Sequence, residues 1–233
     1  MGSRLAILFL FVAGCAAGPT QTSVEPLEKA AKTYGQLNAI SGVIEEANIT
    51  PGGEHALQKT FSARRPDEVA VLIVRNGEPL EKLVCKGDTV TRLVFKDKLA
   101  VVTKGKPMDV AALVPGLRFF FHPESLTTDP FKKMKLIRED ETPFGEAWQY
   151  ESVAEVALPE GKAYQVQAGF FVEQSRGLIV GGYEKGIGDA ANGRLMTWRL
   201  TEFKLDDTAD LTLLTAPIPE DYKIQRQDGE TNG

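Results

Sequence analysis

Cysteine and histidine are nearly absent, with 2 of each in 233 residues. That scarcity excludes a disulfide framework. A four-ligand zinc site would have to recruit carboxylates, and no close Cys/His spacing suggests one. Positive charge is not in excess either: Lys and Arg total 27 against 32 Asp and Glu, a net charge of -5. With no Lys/Arg cluster, the concentrated basic surface that phosphate binding requires is missing, which excludes a general nucleic-acid binder. After the first fifteen residues no apolar run is long enough to span a bilayer as a helix, so the body of the chain reads as soluble. Catalytic signals are equally sparse. His55 and His122 are the candidates for a neutral-pH base, and neither lies near a Gly-x-Ser-x-Gly nucleophile motif. Glu45-Glu46 and Glu139-Asp140-Glu141 read as solvated charge, and Gly181-Gly182 and Gly186-x-Gly188 do not open a helix after a strand. No catalytic residue, metal or cofactor is assigned, and the chain reads as a non-enzyme.

The beginning of the chain carries an address. Met1 to Arg4 is a short basic start, and Leu5 to Val12 is an unbroken apolar stretch, too short for a membrane span and of the length of a signal-peptide core. It ends in Val12-Ala13-Gly14-Cys15, which resembles a bacterial lipobox. The resemblance implies removal of residues 1–14, diacylglycerol on Cys15 and palmitate-type acyl chains as a membrane anchor, two chains being enough for stable attachment. Residues 15–25 lack periodicity and read as a flexible tether. Ala16, rather than Asp, follows the cysteine; the enterobacterial sorting rule then implies the periplasmic face of the outer membrane. With Cys15 acylated, Cys85 is expected to be a buried free thiol.

The expected folded domain runs over residues 26–224, with a disordered tail at 225–233. Leu27, Ala30, Ala31, Tyr34 and Leu37 recur at helical spacing. The period then changes to two, as in His55, Leu57, Lys59, Phe61 and Ala63. Strand-like runs follow at 68–75, 80–86, 89–95 and 99–103, separated by Asn76-Gly77, Gly87-Asp88 and Lys96-Asp97, which are hairpin signals. Between Lys106 and Leu136 the character changes: 108–114 and 130–136 predict short helices, broken by Pro115, Pro123 and Pro130. Strands resume at 148–156, 164–173, 177–184 and 194–205. In the last run Met196, Trp198 and Leu200 share one parity and Phe203 and Leu205 the other, which predicts a bulge near Thr201. With no βαβ repeat, the fold class is α+β: a strongly curved antiparallel sheet of roughly ten strands. The N-terminal helix and the short-helix insert are expected to cover its apolar face as a lid.

Several segments resemble the LolA/LolB-like lipoprotein carriers. Ala31 to Gly42 is similar to that family's opening helix and first strand, Thr60-Phe61-Ser62-Ala63-Arg64-Arg65-Pro66-Asp67 to its F-x-x-x-R-P segment, and Lys86-Gly87-Asp88-Thr89-Val90 to its hairpin. Leu214 to Tyr222 is similar to its closing proline-rich stretch. The resemblance implies a half-barrel with a helical lid that holds acyl chains of lipids or lipoproteins for transfer or sorting, without nucleic acid as a partner. The alternative is an envelope protein-interaction or sensing module with the same fold and a filled cavity.

The candidate acyl-contact residues are Leu57, Phe61, Val71, Leu93, Leu113, Leu117, Phe119, Phe120, Phe121, Phe131, Trp148, Phe170 and Trp198. Phe119-Phe120-Phe121 reads either as a protruding tip that meets acyl chains or a bilayer, or as a short buried strand that uses two of the three. Trp148 and Trp198 either line a cavity or fill the core. Arg65 is a candidate for pairing with lid carbonyls or a lipid head group, or is simply solvated.

Overall fold

A computed structural model of the chain describes residues 24–129, 131–157, 163–188, 193–215 and 217–227. The signal segment, Cys15 and most of the tether lie outside these residues, as does the expected tail beyond 227.

Helix α1 spans Glu25–Gln36. Pro26 occupies its first turn, where a missing N–H costs nothing, and Glu25 and Glu28 place negative charge at the positive end of the helix dipole. Leu27, Ala30 and Tyr34 are buried on one stripe, as their spacing predicts. Strands β1 (Ala39–Thr50), β2 (Gly53–Arg64), β3 (Glu68–Arg75), β4 (Glu78–Lys86), β5 (Thr89–Val94) and β6 (Leu99–Lys104) follow as a meander. Asn76 and Gly77, at φ 53° and 81°, make the tight β3–β4 turn. The insert then contributes helices α2 (Pro107–Ala111) and α3 (Arg118–Phe121) and 3-10 turns at Pro123–Thr127 and Phe131–Lys133. A second meander comprises β7 (Lys135–Thr142), β8 (Gly145–Ala157), β9 (Ala163–Glu173), β10 (Ile179–Ile187) and β11 (Leu195–Leu205). After 3-10 turns at Asp206–Thr208 and Thr212–Thr215 the chain ends its described course in β12 (Lys223–Gln227).

All the strands form one 12-stranded sheet in the order β12-β6-β5-β4-β3-β2-β1-β11-β10-β9-β8-β7. β1 is the seam between the meanders, antiparallel to both β2 and β11. The expectation of roughly ten antiparallel strands is corrected in three ways. Lys135 and Leu136 belong to β7 rather than to a helix, and the carboxylates Glu139, Asp140 and Glu141 ride on that same edge strand. Such charges hide an edge strand from a hydrophobic-pattern reading while protecting its free backbone from other chains. β12, whose residues are all exposed, runs past the expected boundary at 224. It also pairs in parallel with β6, so the sheet is not wholly antiparallel.

The register of β1 with β11 shifts between Val43 and Ile44: Val43 faces Glu202 and Ile44 faces Leu200. Thr201 is the extra residue, the predicted bulge. It brings Phe203, Leu200 and Trp198 onto one sheet face despite their opposite parity.

That face carries the core: Ile40, Ile44, Phe61, Val69, Val71, Phe170, Val172 and Leu200 pack against Leu27, Tyr34, Val110, Val114, Leu117, Phe119 and Phe120. The opposite face is crossed by the segment after β11. There the Asp210 N–H donates to Ser41 Oγ at 2.8 Å, and the Asp210 carbonyl accepts from Ser62 Oγ at 2.6 Å. Leu214 is buried, its 3-10 turn lying on β2 and β3.

Candidate functional site

The sequence expectations converge on the helix-covered face, where register defines rows of side chains across the sheet. One row runs Leu57, Glu46, Trp198, Gly182, Phe170, Tyr150, Leu136 from β2 to β7. Gly182 is required here: a Cβ would lie 2.7 Å from Trp198 Nε1, so the indole rests on bare backbone. The insert roofs this row. A Cβ on Gly116 would come within 3.5 Å of the Trp198 ring, and Phe131 meets Phe170 edge-on at 6.0 Å between centroids. Phe119 in turn meets Phe131 at 5.3 Å and Tyr34 of α1 at 6.4 Å. Tyr150 stacks on Phe170 at 5.6 Å, a geometry favoured by ring quadrupoles when offset.

Beyond this row lies a second, His55, Asn48, Met196, Glu184, Ala168, Ser152. Its members are half-buried, except His55 and Glu184, which are exposed. The following pair of register partners, Val166 of β9 and Ala154 of β8, is also incompletely covered. The face is thus sealed toward α1 and open toward the β1–β2 turn.

Among the expected contact residues, Phe61, Val71, Leu117, Phe119, Phe120 and Phe170 join the buried cluster, and Phe121, Phe131, Trp148 and Trp198 pack against it. Leu57 sits half-buried in the roofed row, and Leu113 is half-buried on the insert. Leu93 is a correction. It pairs with Lys82 and Ala100 and lies on the opposite face, buried there at 4% exposure. The three phenylalanines form neither a tip nor a strand: they lie in α3, with Phe119 and Phe120 at 4% and 0% exposure. A helix turns about 100° per residue, so consecutive rings meet different neighbours of one core.

Arg65 meets carbonyls of α1 and α3. Its guanidinium donates to the Tyr34 carbonyl at 3.1 Å and to the Phe120 carbonyl, and lies over the Phe120 ring at 5.1 Å. It therefore ties the end of α1 to α3. Tyr34 ties α1 to the sheet: its hydroxyl accepts from the Ile179 N–H at 3.2 Å, and burial pushes its pKa up to about 12.

A polar pair within this face went unread in the sequence. Lys59 and Glu46, both over nine-tenths buried, are paired at 2.5 Å. Lys59 Nζ also donates to the Leu113 carbonyl at 2.8 Å, and Asn48 Nδ2 donates to Glu46 at 2.8 Å. Glu46 is thus not part of a solvated run; only Glu45 points to the other face, where it pairs with Arg199. The usable signal is parity: Glu46 and Lys59 fall on the apolar register of two strands joined by a hairpin. The remaining expectations are placed simply. Cys85 is a buried free thiol with its pKa pushed up to about 11 by burial and by Asp109, Asp67 and Asp88. His122 lies beside Glu124 on the surface, and His55 is exposed on β2.

No family model matches the chain, and no curated protein matches it in sequence. Among solved structures, an uncharacterised conserved protein from Thermus thermophilus matches with a TM-score of 0.54 at 14% identity, over 89% of this chain and 100% of that one. The lipoprotein LppX of Mycobacterium tuberculosis matches at 0.47 and 9% identity, over 80% and 96% of the two chains. A LolA superfamily protein from Nitrosomonas europaea matches at 0.36 and 11% identity, over 82% and 95%. At these identities the likeness is one of fold.

Proposed function

We propose that this chain binds acyl chains of lipids or lipoproteins on the helix-covered face of its sheet and acts in their transfer or sorting. The observation that carries the reading is the aromatic row of Trp198, Phe170 and Tyr150 roofed by the insert, beside a half-open row in which Met196 and Ala168 lie among polar neighbours. Burial of methylenes along such a surface contributes about 0.8 kcal/mol each. In this reading the sheet is a half-barrel, α1 and the insert are its lid, and Arg65 holds the lid down through the carbonyls it bonds. Phe61, Val71, Leu117, Phe119, Phe131, Phe170 and Trp198 form the inner wall when a chain enters. The lipobox-like segment supports anchoring through Cys15 in the bacterial envelope, on the periplasmic face of the outer membrane.

The test is native mass spectrometry of protein lacking residues 1–15, purified gently from a bacterial envelope. Stoichiometric lipid is expected, with saturable uptake of a fluorescent acyl probe. A clean apoprotein mass without probe uptake would overturn the proposal. One observation favours a second reading, an envelope protein-interaction module: Phe119 and Phe120 are buried by the protein's own side chains. That reading expects a stable protein complex in place of bound lipid.

A further inference from the structure

Arg118 differs from the other arginines that pack against side chains or carbonyls of this fold. Arg64, Arg92, Arg138, Arg176 and Arg199 each pair with a carboxylate, and Arg65 with carbonyls. Among the described residues no hydrogen-bond acceptor or carboxylate pairs with the Arg118 side chain. It is held instead by rings: its guanidinium lies 4.7 Å from the Phe119 centroid and 5.1 Å from that of Phe131. Two aromatic contacts hold the guanidinium while its N–H groups, without an acceptor among the described residues, are available to an oxyanion, which a guanidinium recognises by paired hydrogen bonds.

The position is as informative as the vacancy of the donors. Phe131 rests on Phe170 of the roofed row, and Phe119 on Phe131 and on Tyr34 of α1. Arg118 therefore stands on the two rings, Phe119 and Phe131, through which the insert meets the roofed row, with its own side chain exposed. Desolvation by its surroundings lowers its pKa and Glu184 opposes that shift, while the residue as a whole remains exposed. An anion would restore the solvation that the rings remove.

We propose that Arg118 is the head-group site of this chain, binding the carboxylate or phosphate oxyanion of an acyl ligand whose tail lies under the insert. The inference rests on the acyl-binding function proposed above and adds the chemical class of the ligand's polar end. Glu184 competes with that ligand for the guanidinium, so the two charged residues act in opposite directions.

Competition against a fluorescent acyl probe on the full chain tests this, using ligands matched in tail length: hexadecanoate against 1-hexadecanol, and palmitoyl lysophosphatidate against 1-palmitoylglycerol. In the wild type the anion is expected to compete about tenfold or more better than its neutral counterpart, as a charge-assisted pair provides. Arg118→Gln brings the ratio of anion to neutral competition to about one, whatever it does to both together; Arg118→Lys, which keeps charge but not the planar fork, keeps only part of the advantage. Glu184→Gln increases it. Whichever matched pair shows the larger effect identifies the source of the oxyanion. Equal competition by anion and neutral ligand, or an advantage that survives Arg118→Gln in a protein of unchanged unfolding midpoint, overturns the head-group site while acyl binding stands. Absence of saturable probe uptake in the wild type removes acyl binding and the head-group site together.

Discussion

Glu173 is a buried carboxylate, at 1% exposure, with a defined task. It accepts hydrogen bonds from the Ser175 hydroxyl and from the Ser175 and Arg176 N–H groups, and so shapes the turn after β9. Burial raises its pKa, but the hydrogen bonds from Ser175 and Arg176, together with the Arg176 charge, outweigh burial and leave it below its ordinary 4.5. A depressed folded-state pKa contributes stability above the unfolded value, and that contribution is lost as pH falls through the folded one. Glu173→Gln is therefore expected to lower stability at neutral pH by about 2 kcal/mol and to flatten the acid limb of a urea-unfolding series. Lys59 and Glu46 present a different balance. Lys59→Met leaves a buried carboxylate unpaired and is expected to cost about 3–5 kcal/mol, whereas Lys59→Met with Glu46→Leu recovers most of the loss. A double-mutant cycle read by urea midpoints checks this. The pair was illegible because Glu45-Glu46 looks like a charge run, although strand alternation sends its two members to opposite faces.

At the scale of elements, the turn shaped by Glu173 is the platform for α1. Thr33 Oγ1 donates to the Arg176 carbonyl at 2.5 Å, and Gly177 lies against the Ala30 backbone. The segment after β11 is held in a comparable way on the other face, the backbone N–H and carbonyl of Asp210 being satisfied by Ser41 and Ser62. Ser41→Ala and Ser62→Ala are each expected to cost about 1 kcal/mol, with increased amide exchange over residues 206–215 ahead of global unfolding. Elements whose burial is one-sided were legible. Leu27, Ala30 and Tyr34 announced α1, and Val166, Ala168, Phe170 and Val172 announced β9. Strand β5 was legible as a strand but not in its orientation, because Val90 and Leu93 are both apolar at opposite parity. Val90 packs on the helix-covered core while Leu93 is buried on the face that the C-terminal segment crosses. Strand β7 was missed because an edge strand needs no apolar face of its own.

For the whole molecule, the arrangement of rows explains why the candidate site was readable only in part. The aromatic members are apolar wherever they sit, so Phe131, Phe170 and Trp198 could be named from composition and strand pattern. Their convergence depends on the Thr201 bulge and on the insert folding back over β11, and neither is a local property. Arg118 was not singled out for the same reason: its rings are adjacent in sequence at Phe119 but distant at Phe131.

The seam at β1 has a kinetic consequence. Its partners lie on either side in the sheet, yet β2 follows at once while β11 is the last strand of its meander, so Ile40 waits for Leu205. Loop-closure entropy is spent before that pairing returns anything, which places the chain among slow, non-local folders. During synthesis at about 5–20 residues per second the first meander stands for about 5–20 seconds with one edge of β1 unpaired. A nascent chain halted after β10 would present that edge to any other strand within reach, so the completion of β11 is the moment at which this protein ceases to be at risk from its own kind.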